Sequence, residues 1–176
     1  LDAINSWLLV VEVEKTIGKT AASSFKHTSP AGVAISNGQI SDIEKKIYDI
    51  ESHDLSNSPT AEAFIKARNA DPLSSFGDFI SISEIVDETC ARLISREVSD
   101  GIIALDYTEE ALDILKQKRN GKYIVLKINK DYLNNLRKNY HQINIKEFGN
   151  IALTQEDTYY KTNYNIDEIT KLAFIK

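Results

Sequence analysis

Apolar residues along this chain follow two alternating rhythms, a three-to-four-residue spacing and short continuous runs, and their alternation predicts an α/β fold. Leu1, Ile4, Leu8 and Val11 recur at helical spacing with Trp7 beside them, and Gly18 can supply the left-handed residue that closes such a helix. A first helix is therefore expected before Gly18. Ala21 to His27 is short, small and apolar; it reads as a buried strand running into turn chemistry at Thr28-Ser29-Pro30-Ala31-Gly32. Ile40 to Arg68 is helical in pattern but broken where Asp, Ser, Asn and Pro gather between His53 and Pro59, which predicts two shorter helices. Leu73 to Ile80 looks strand-like around Gly77, and a helix through Ile85, Val86, Cys90, Leu93 and Ile94 is expected to start at Ser81 or Asp87. Gly101 to Ala104 reads as a buried strand. Thr108 can cap a helix carrying Glu109 and Glu110 in its first turn, and Lys122 to Ile128 reads as another strand. Beyond Asn129 the pattern weakens, with a strand through Ile143 to Phe148 and a short terminal helix from near Asp167. No heptad, short repeat or Pro/Gly/Ser-rich linker interrupts the alternation.

Composition narrows the picture. With 176 residues, 42% of them hydrophobic, the chain has enough apolar surface for one compact domain. A net charge of −5 and a pI near 5.3 argue against a broad basic surface for a nucleic-acid backbone, although a local pocket for one phosphate stays compatible with them. The apolar run from Trp7 to Val11 falls far short of the ~20 residues that cross a bilayer, so neither a membrane span nor a signal segment is expected there. Cys90 is the sole cysteine, which rules out an internal disulfide or a multi-cysteine metal site and fits a reducing cytosol. A chain that opens on Leu1 and contains no methionine is expected to be a piece of a longer translation product.

The groups with most chemical promise are Lys26 and His27, where a strand gives way to a turn; α/β proteins place reactive groups at strand ends. Neighbouring side chains in a regular strand point to opposite faces, so the two can share one site only if the backbone leaves strand geometry there. From the residues alone, an exposed Lys beside a partly buried structural His is the favoured reading. His53, in a Ser/Asn/Asp-rich break, and His141, beside Tyr140, lack metal-ligand spacing and read as loop residues, so no metal is expected. The basic cluster Lys116, Lys118, Arg119 and Lys122 sits where it compensates the dipole at a helix end, with a phosphate role as the minor alternative.

Three extended stretches carry a family resemblance. Ser24-Phe25-Lys26-His27-Thr28-Ser29-Pro30-Ala31-Gly32-Val33-Ala34 contains a Lys-His-x-x-Pro-x-Gly motif. Ala67-Arg68-Asn69-Ala70-Asp71 leads into Ser74-Ser75-Phe76-Gly77-Asp78-Phe79, and Ile94-Ser95-Arg96-Glu97-Val98-Ser99-Asp100-Gly101-Ile102-Ile103-Ala104 follows. In order and spacing these resemble the AICAR transformylase family, the formyl-transfer part of a bifunctional purine-biosynthesis enzyme. The likeness runs from about Asn5 to Tyr132, takes in Lys118-Arg119-Asn120-Gly121-Lys122-Tyr123, and fades through Phe148-Gly149 and Leu153-Thr154-Gln155. Leu105-Asp106 and Asp71-Pro72-Leu73 depart from the family's usual residues.

The resemblance implies a three-layer, cytidine-deaminase-like α/β subdomain with a mixed sheet, residues 1–176 forming the N-terminal half of the transformylase region. A second transformylase subdomain, a cyclohydrolase domain and a segment with further nucleotide contacts would lie outside the chain. The implied reaction moves a formyl group from 10-formyltetrahydrofolate to the exocyclic amine of AICAR ribonucleotide, in a cytoplasmic homodimer. His27 would take the proton of that weakly basic amine, and the Lys26 ammonium would favour the neutral, proton-accepting imidazole and stabilise the tetrahedral oxyanion. Gly77 and Asp100 would belong to the nucleotide subsite, with Phe76 as a weaker addition. Without the resemblance Gly77 reads as a strand bulge, Asp100-Gly101 as a turn and Phe76 as core. Arg96 and Glu97 read as an ion pair or ligand contacts and carry no assignment. The likeness to deaminases does not extend to chemistry, since the chain has neither His-x-Glu nor Pro-Cys-x-x-Cys. Two other readings stay open: a folded, non-catalytic piece that binds nucleotide weakly, and an α/β interaction module unrelated to purine synthesis.

Overall fold

The chain opens with α1 (Asp2–Ile17), which stops where Gly18 turns left-handed at φ 71° and its amide bonds back to the carbonyl of Glu14. The structure, a computed structural model, describes residues 1–38, 40–129 and 142–157. After α1 come β1 (Ala21–Lys26), β2 (Ser29–Ile35), α2 (Asp42–Ile47), α3 (Pro59–Asn69), β3 (Asp78–Val86), α4 (Glu88–Arg96), β4 (Ser99–Tyr107), α5 (Glu109–Gln117), a short 3-10 segment (Lys118–Gly121) and β5 (Ile124–Lys127). These form one compact unit, Leu1–Ile128. In the second unit, Asn129–Lys176, the described residues form a hairpin of β6 (Gln142–Phe148) and β7 (Ile151–Asp157). The strand expected at Ile143 to Phe148 is thus present, while His141 and the helix expected near Asp167 lie outside the described residues.

The main sheet has the order β2-β1-β3-β4-β5, with β1 antiparallel to both neighbours and β3, β4 and β5 parallel. Alternation of side chains gives each strand two faces. Ala22, Ile80, Ile82, Ile102 and Ala104 pack in one cluster with Phe64 and Ile65 of α3, Leu93 and Ile94 of α4 and Leu115 of α5. Across the sheet, α1 lies on β1 and β3 and buries Trp7 and Val10. The result is the expected three-layer α/β arrangement with a mixed sheet.

Caps fix where the helices begin. Ser58 caps α3 by accepting from the amide of Ala61 at 3.1 Å, and Asp87 caps α4 by accepting from that of Cys90 at 2.9 Å. The second oxygen of Asp87 accepts from Ser58 Oγ at 2.6 Å and Thr60 Oγ1 at 2.8 Å, so one carboxylate ties both helix starts together. Of the two starts expected for α4, Asp87 is the correct one; Ser81 lies inside β3. Thr108 caps α5 as expected.

Three expectations need correction. The residues Ser29 to Gly32 form strand β2, not a turn, because β2 is an edge strand where Pro30 needs no ladder partner for its missing amide. Gly32 is required there by packing: a Cβ on it would stand 2.1 Å from the carbonyl oxygen of Ala67 in α3. The strand expected at Leu73 to Ile80 begins only at Asp78 and continues through Ile85 and Val86, which the apolar spacing assigns to the next helix. Asp71 explains the late start, since its side chain accepts from the amide of Ser74 at 3.0 Å and its carbonyl from that of Ser75 at 3.0 Å, folding the segment into turns.

Candidate functional site

Lys26 closes β1 and pairs with Ser29 of β2, leaving His27 and Thr28 as a two-residue hairpin turn with φ of 53° and 61°. Positive φ at both central positions is the geometry that matches the twist of a hairpin, but it is normally supplied by Asn and Gly. Here it supplies the departure from strand geometry that a shared Lys26-His27 site requires. The amide of Thr28 donates to Asp2 Oδ1 at 2.8 Å, so the start of α1 holds the turn. His27 is exposed, and no hydrogen bond or ion pair engages its ring among the described residues.

The Lys26 ammonium donates to the carbonyl oxygen of Phe76 at 2.6 Å. A Cβ built on Gly77 would lie 3.8 Å from Lys26 Nζ, so the ammonium sits over the glycine's open face. Gly77 adopts φ 74°, which a side chain would strain, and its amide donates to the carbonyl of Val98 at 2.9 Å. The glycine is thus the turn residue before β3 rather than a bulge within a strand. Phe76 is 61% exposed, which rules out the core reading and leaves its ring open at the mouth of the site.

Beneath this loop lies a buried polar cluster whose members, Ser24, Arg68, Ser75, Asp78 and Glu97, all fall within the matched stretches. Asp78 is fully buried; its two oxygens accept from Ser24 Oγ at 2.6 Å and from Arg68 at 3.0 Å. With both oxygens accepting, the hydrogen bonding is that of a carboxylate. Burial pushes its pKa above the ordinary value, opposed by the Ser24 hydrogen bond and the Arg68 charge. Arg68 also donates to the Ser75 carbonyl at 2.8 Å and to Glu97 at 2.8 Å. A signal for Arg68 was available: Ala61, Phe64, Ile65 and Arg68 share one apolar stripe of α3, and an arginine on such a stripe must find partners inside.

Asp100 follows on β4, where its carboxylate pairs with Arg119 at 2.9 Å, both side chains more than half exposed. It therefore stands beside the basic cluster rather than bonded to Lys26, Phe76 or Gly77. An ion pair so open to water contributes about 0–1 kcal/mol, so a ligand that needs this carboxylate displaces Arg119 at little cost. Lys118 donates to the carbonyl of Glu97 and lies 5.1 Å from the centre of the Tyr123 ring. Burial lowers its pKa first, with the Arg68 charge adding to the effect. Arg96 pairs with Asp49 at 3.0 Å and Glu97 with Arg68 at 2.8 Å, so the two neighbours have separate partners.

Lys26, Phe76 and Gly77 are brought together, His27 adjoins them on the turn, and Asp100 stands two residues beyond the carbonyl that holds Gly77. Because β1 runs antiparallel to β3, its carboxyl end coincides with the amino-terminal ends of β3 and β4. The site therefore lies opposite the strand ends that open parallel sheets favour for ligands. A hollow of about 550 Å³ lined by Gly38, Ile40, Lys45, His53, Leu55 and Glu62 contains none of the five candidate residues. Among the described residues no group of three or more His, Cys, Asp or Glu is arranged to hold a metal ion.

These features define an α/β protein in which one ammonium is fixed over a glycine turn, with an exposed imidazole next to it in the chain and an exposed Asp100 on β4 paired with Arg119. A family model described as the AICARFT/IMPCHase bienzyme matches residues 1–173, and the chain belongs to that family. The bifunctional purine biosynthesis protein PurH of Brachyspira hyodysenteriae is 27% identical over 158 residues, covering 90% of this chain and 25% of the relative. Its counterparts in Petrotoga mobilis and Thermoanaerobacter sp. are 33% identical over 128 residues and 32% over 124, each with 20% of the relative covered. The chain thus spans a quarter or less of the length of these curated relatives. A solved dCMP deaminase from cyanophage S-TIM5, 16% identical, covers 72% of this chain and 94% of its own length with a TM-score of 0.46.

Proposed function

We propose that this chain is the part of a purine-biosynthesis enzyme that binds AICAR ribonucleotide and contributes the proton-transfer groups for formyl transfer from 10-formyltetrahydrofolate. Residues 1–176 would form the N-terminal half of the transformylase region, working in a cytoplasmic homodimer with segments that lie outside this chain. The observation that carries the reading is the placement of the Lys26 ammonium, 2.6 Å from the Phe76 carbonyl and over Gly77, beside an exposed His27.

In this reading the nucleotide's amine nitrogen attacks the formyl carbon while His27 accepts the proton the amine loses. Lys26 spends one N–H on Phe76, leaving two donors for the oxyanion that forms on the formyl oxygen. Collapse of that intermediate breaks the bond to the folate nitrogen, which takes up a proton and leaves as tetrahydrofolate. The lack of a side chain at Gly77 lets the nucleotide approach that backbone beside the Lys26 ammonium, and the Asp100 carboxylate accepts from one of its hydroxyl or amide groups once Arg119 is displaced. Calorimetric titration of AICAR ribonucleotide into this chain tests the subsite. Binding is expected, weakened about tenfold or more by Asp100→Ala, the loss of one charge-assisted hydrogen bond. A folded wild-type chain that takes up no nucleotide would contradict the proposal.

A further inference from the structure

We propose that Arg68 is a positioning residue, holding the Phe76-Gly77 backbone in register with Lys26; the inference deepens the reading of this site as the transformylase centre. Its guanidinium bridges two segments: the Ser75 carbonyl at 2.8 Å and the Asp78 carboxylate at 3.0 Å, on either side of Phe76-Gly77, and Glu97 and the Val98 carbonyl at 2.8 and 3.4 Å. Its own carbonyl accepts from Ser75 Oγ at 3.1 Å. Each segment stands next to a site residue. Ser75 precedes Phe76, whose carbonyl receives the Lys26 ammonium. The Val98 carbonyl also receives the Gly77 amide. Asp78 binds Ser24, which lies two positions before Lys26 on β1.

The apolar side chains of this loop do not pack it, since Leu73 and Phe76 are both open to solvent, and the buried residues on either side of Phe76-Gly77, Ser75 and Asp78, are polar. The polar cluster below defines the loop instead, from a residue that is itself 5% exposed. Only a planar fork with several fixed donors satisfies four acceptors on two segments at once; a lysine at the same place keeps the charge opposite Asp78 but not the geometry. Arg68 does not touch the reacting atoms in this arrangement. It sets where the Phe76 carbonyl points, and through it where the Lys26 ammonium rests.

The test is amide hydrogen exchange together with the NMR signal of the Lys26 ammonium in wild type, Arg68→Lys and Glu97→Ala. In folded Arg68→Lys the Gly77 amide is expected to exchange at least ~10-fold faster while those of Ile80, Ile82 and Ile102 keep their relative protection, and the Lys26 signal should move. Glu97 is partly open to solvent, so Glu97→Ala keeps the test decisive if Arg68→Lys fails to fold; there the same two signals should move in the same direction by less. A purely structural Arg68 would speed exchange across the whole core and leave the Lys26 ammonium where it was. That pattern, or no change at Gly77 and Lys26 in a folded variant, overturns the inference. Titrating the same proteins with AICAR ribonucleotide keeps the two proposals apart, because absence of nucleotide binding would remove the functional reading and leave the exchange result standing.

Discussion

Single residues here do work that the sequence announced unevenly. Lys26, His27 and Gly77 stood out through the motifs, the first two at a strand end and Gly77 inside an expected strand that in fact begins after it, and both His27 and Gly77 adopt left-handed φ. Asp78 was hidden because a charged residue in a strand is by default assigned to solvent, and for Arg68 the one signal was its place on the apolar stripe of α3. Glu62 was as silent as Asp78. It is 5% exposed, and burial works against its charge, but hydrogen bonds from Lys66, Ser36 and the amides of Asn37 and Gly38 outweigh that and hold its pKa at about 2. A carboxyl whose folded value lies below its ordinary 4.5 contributes stability that is complete above about pH 4.5 and is lost as pH falls toward 2. Glu62→Gln is therefore expected to unfold more easily than wild type at pH 7, with the gap narrowing between pH 4.5 and 2 in denaturant titrations. A gap that stays constant over that range would show that Glu62 acts through packing rather than charge.

At the scale of elements, helices were legible wherever a cap and a stripe coincided. Thr108 and Asp87 start α5 and α4 where expected, and the break between α2 and α3 falls in the Ser/Asn/Asp-rich stretch. Strands were harder to read, because β2 is built from residues that ordinarily make turns, and only the closeness of α3 to Gly32 explains the choice. In β3 the alternation of Ser81 and Ser83 with Ile80 and Ile82 buries small polar groups under α1, so neither face reads as plainly polar. The hairpin turn between β1 and β2 holds two non-glycine residues at positive φ, each costing about 1–2 kcal/mol relative to ordinary backbone. Thr28→Gly is accordingly expected to raise stability by about 1 kcal/mol in denaturant unfolding, since the tether from the Thr28 amide to Asp2 survives the change. Loss of stability would mean that the threonine side chain, not the backbone, holds the turn.

For the whole molecule, the antiparallel entry of β1 into an otherwise parallel set decides where the site can form. It brings the carboxyl end of β1 against the amino-terminal ends of β3 and β4, an arrangement that periodicity alone does not encode because strand order is a long-range property. The resemblance implies a mixed sheet without its strand order, and the three matched stretches are the segments that meet there. In a longer protein that performs the reaction, Lys26→Ala is expected to lower kcat by ~100- to 1,000-fold, the loss of one oxyanion donor, while the nucleotide KM changes little. A rise in KM with kcat intact would make Lys26 a binding residue instead.

The most direct measurement is a titration of the isotopically labelled chain with AICAR ribonucleotide, followed residue by residue through its NMR spectrum. Signals of His27, Phe76, Gly77 and Asp100 are expected to shift together and saturate at one concentration. Shifts confined to the hollow around His53 and Glu62, or none in a folded chain, would contradict the placement of the nucleotide at the Lys26 site.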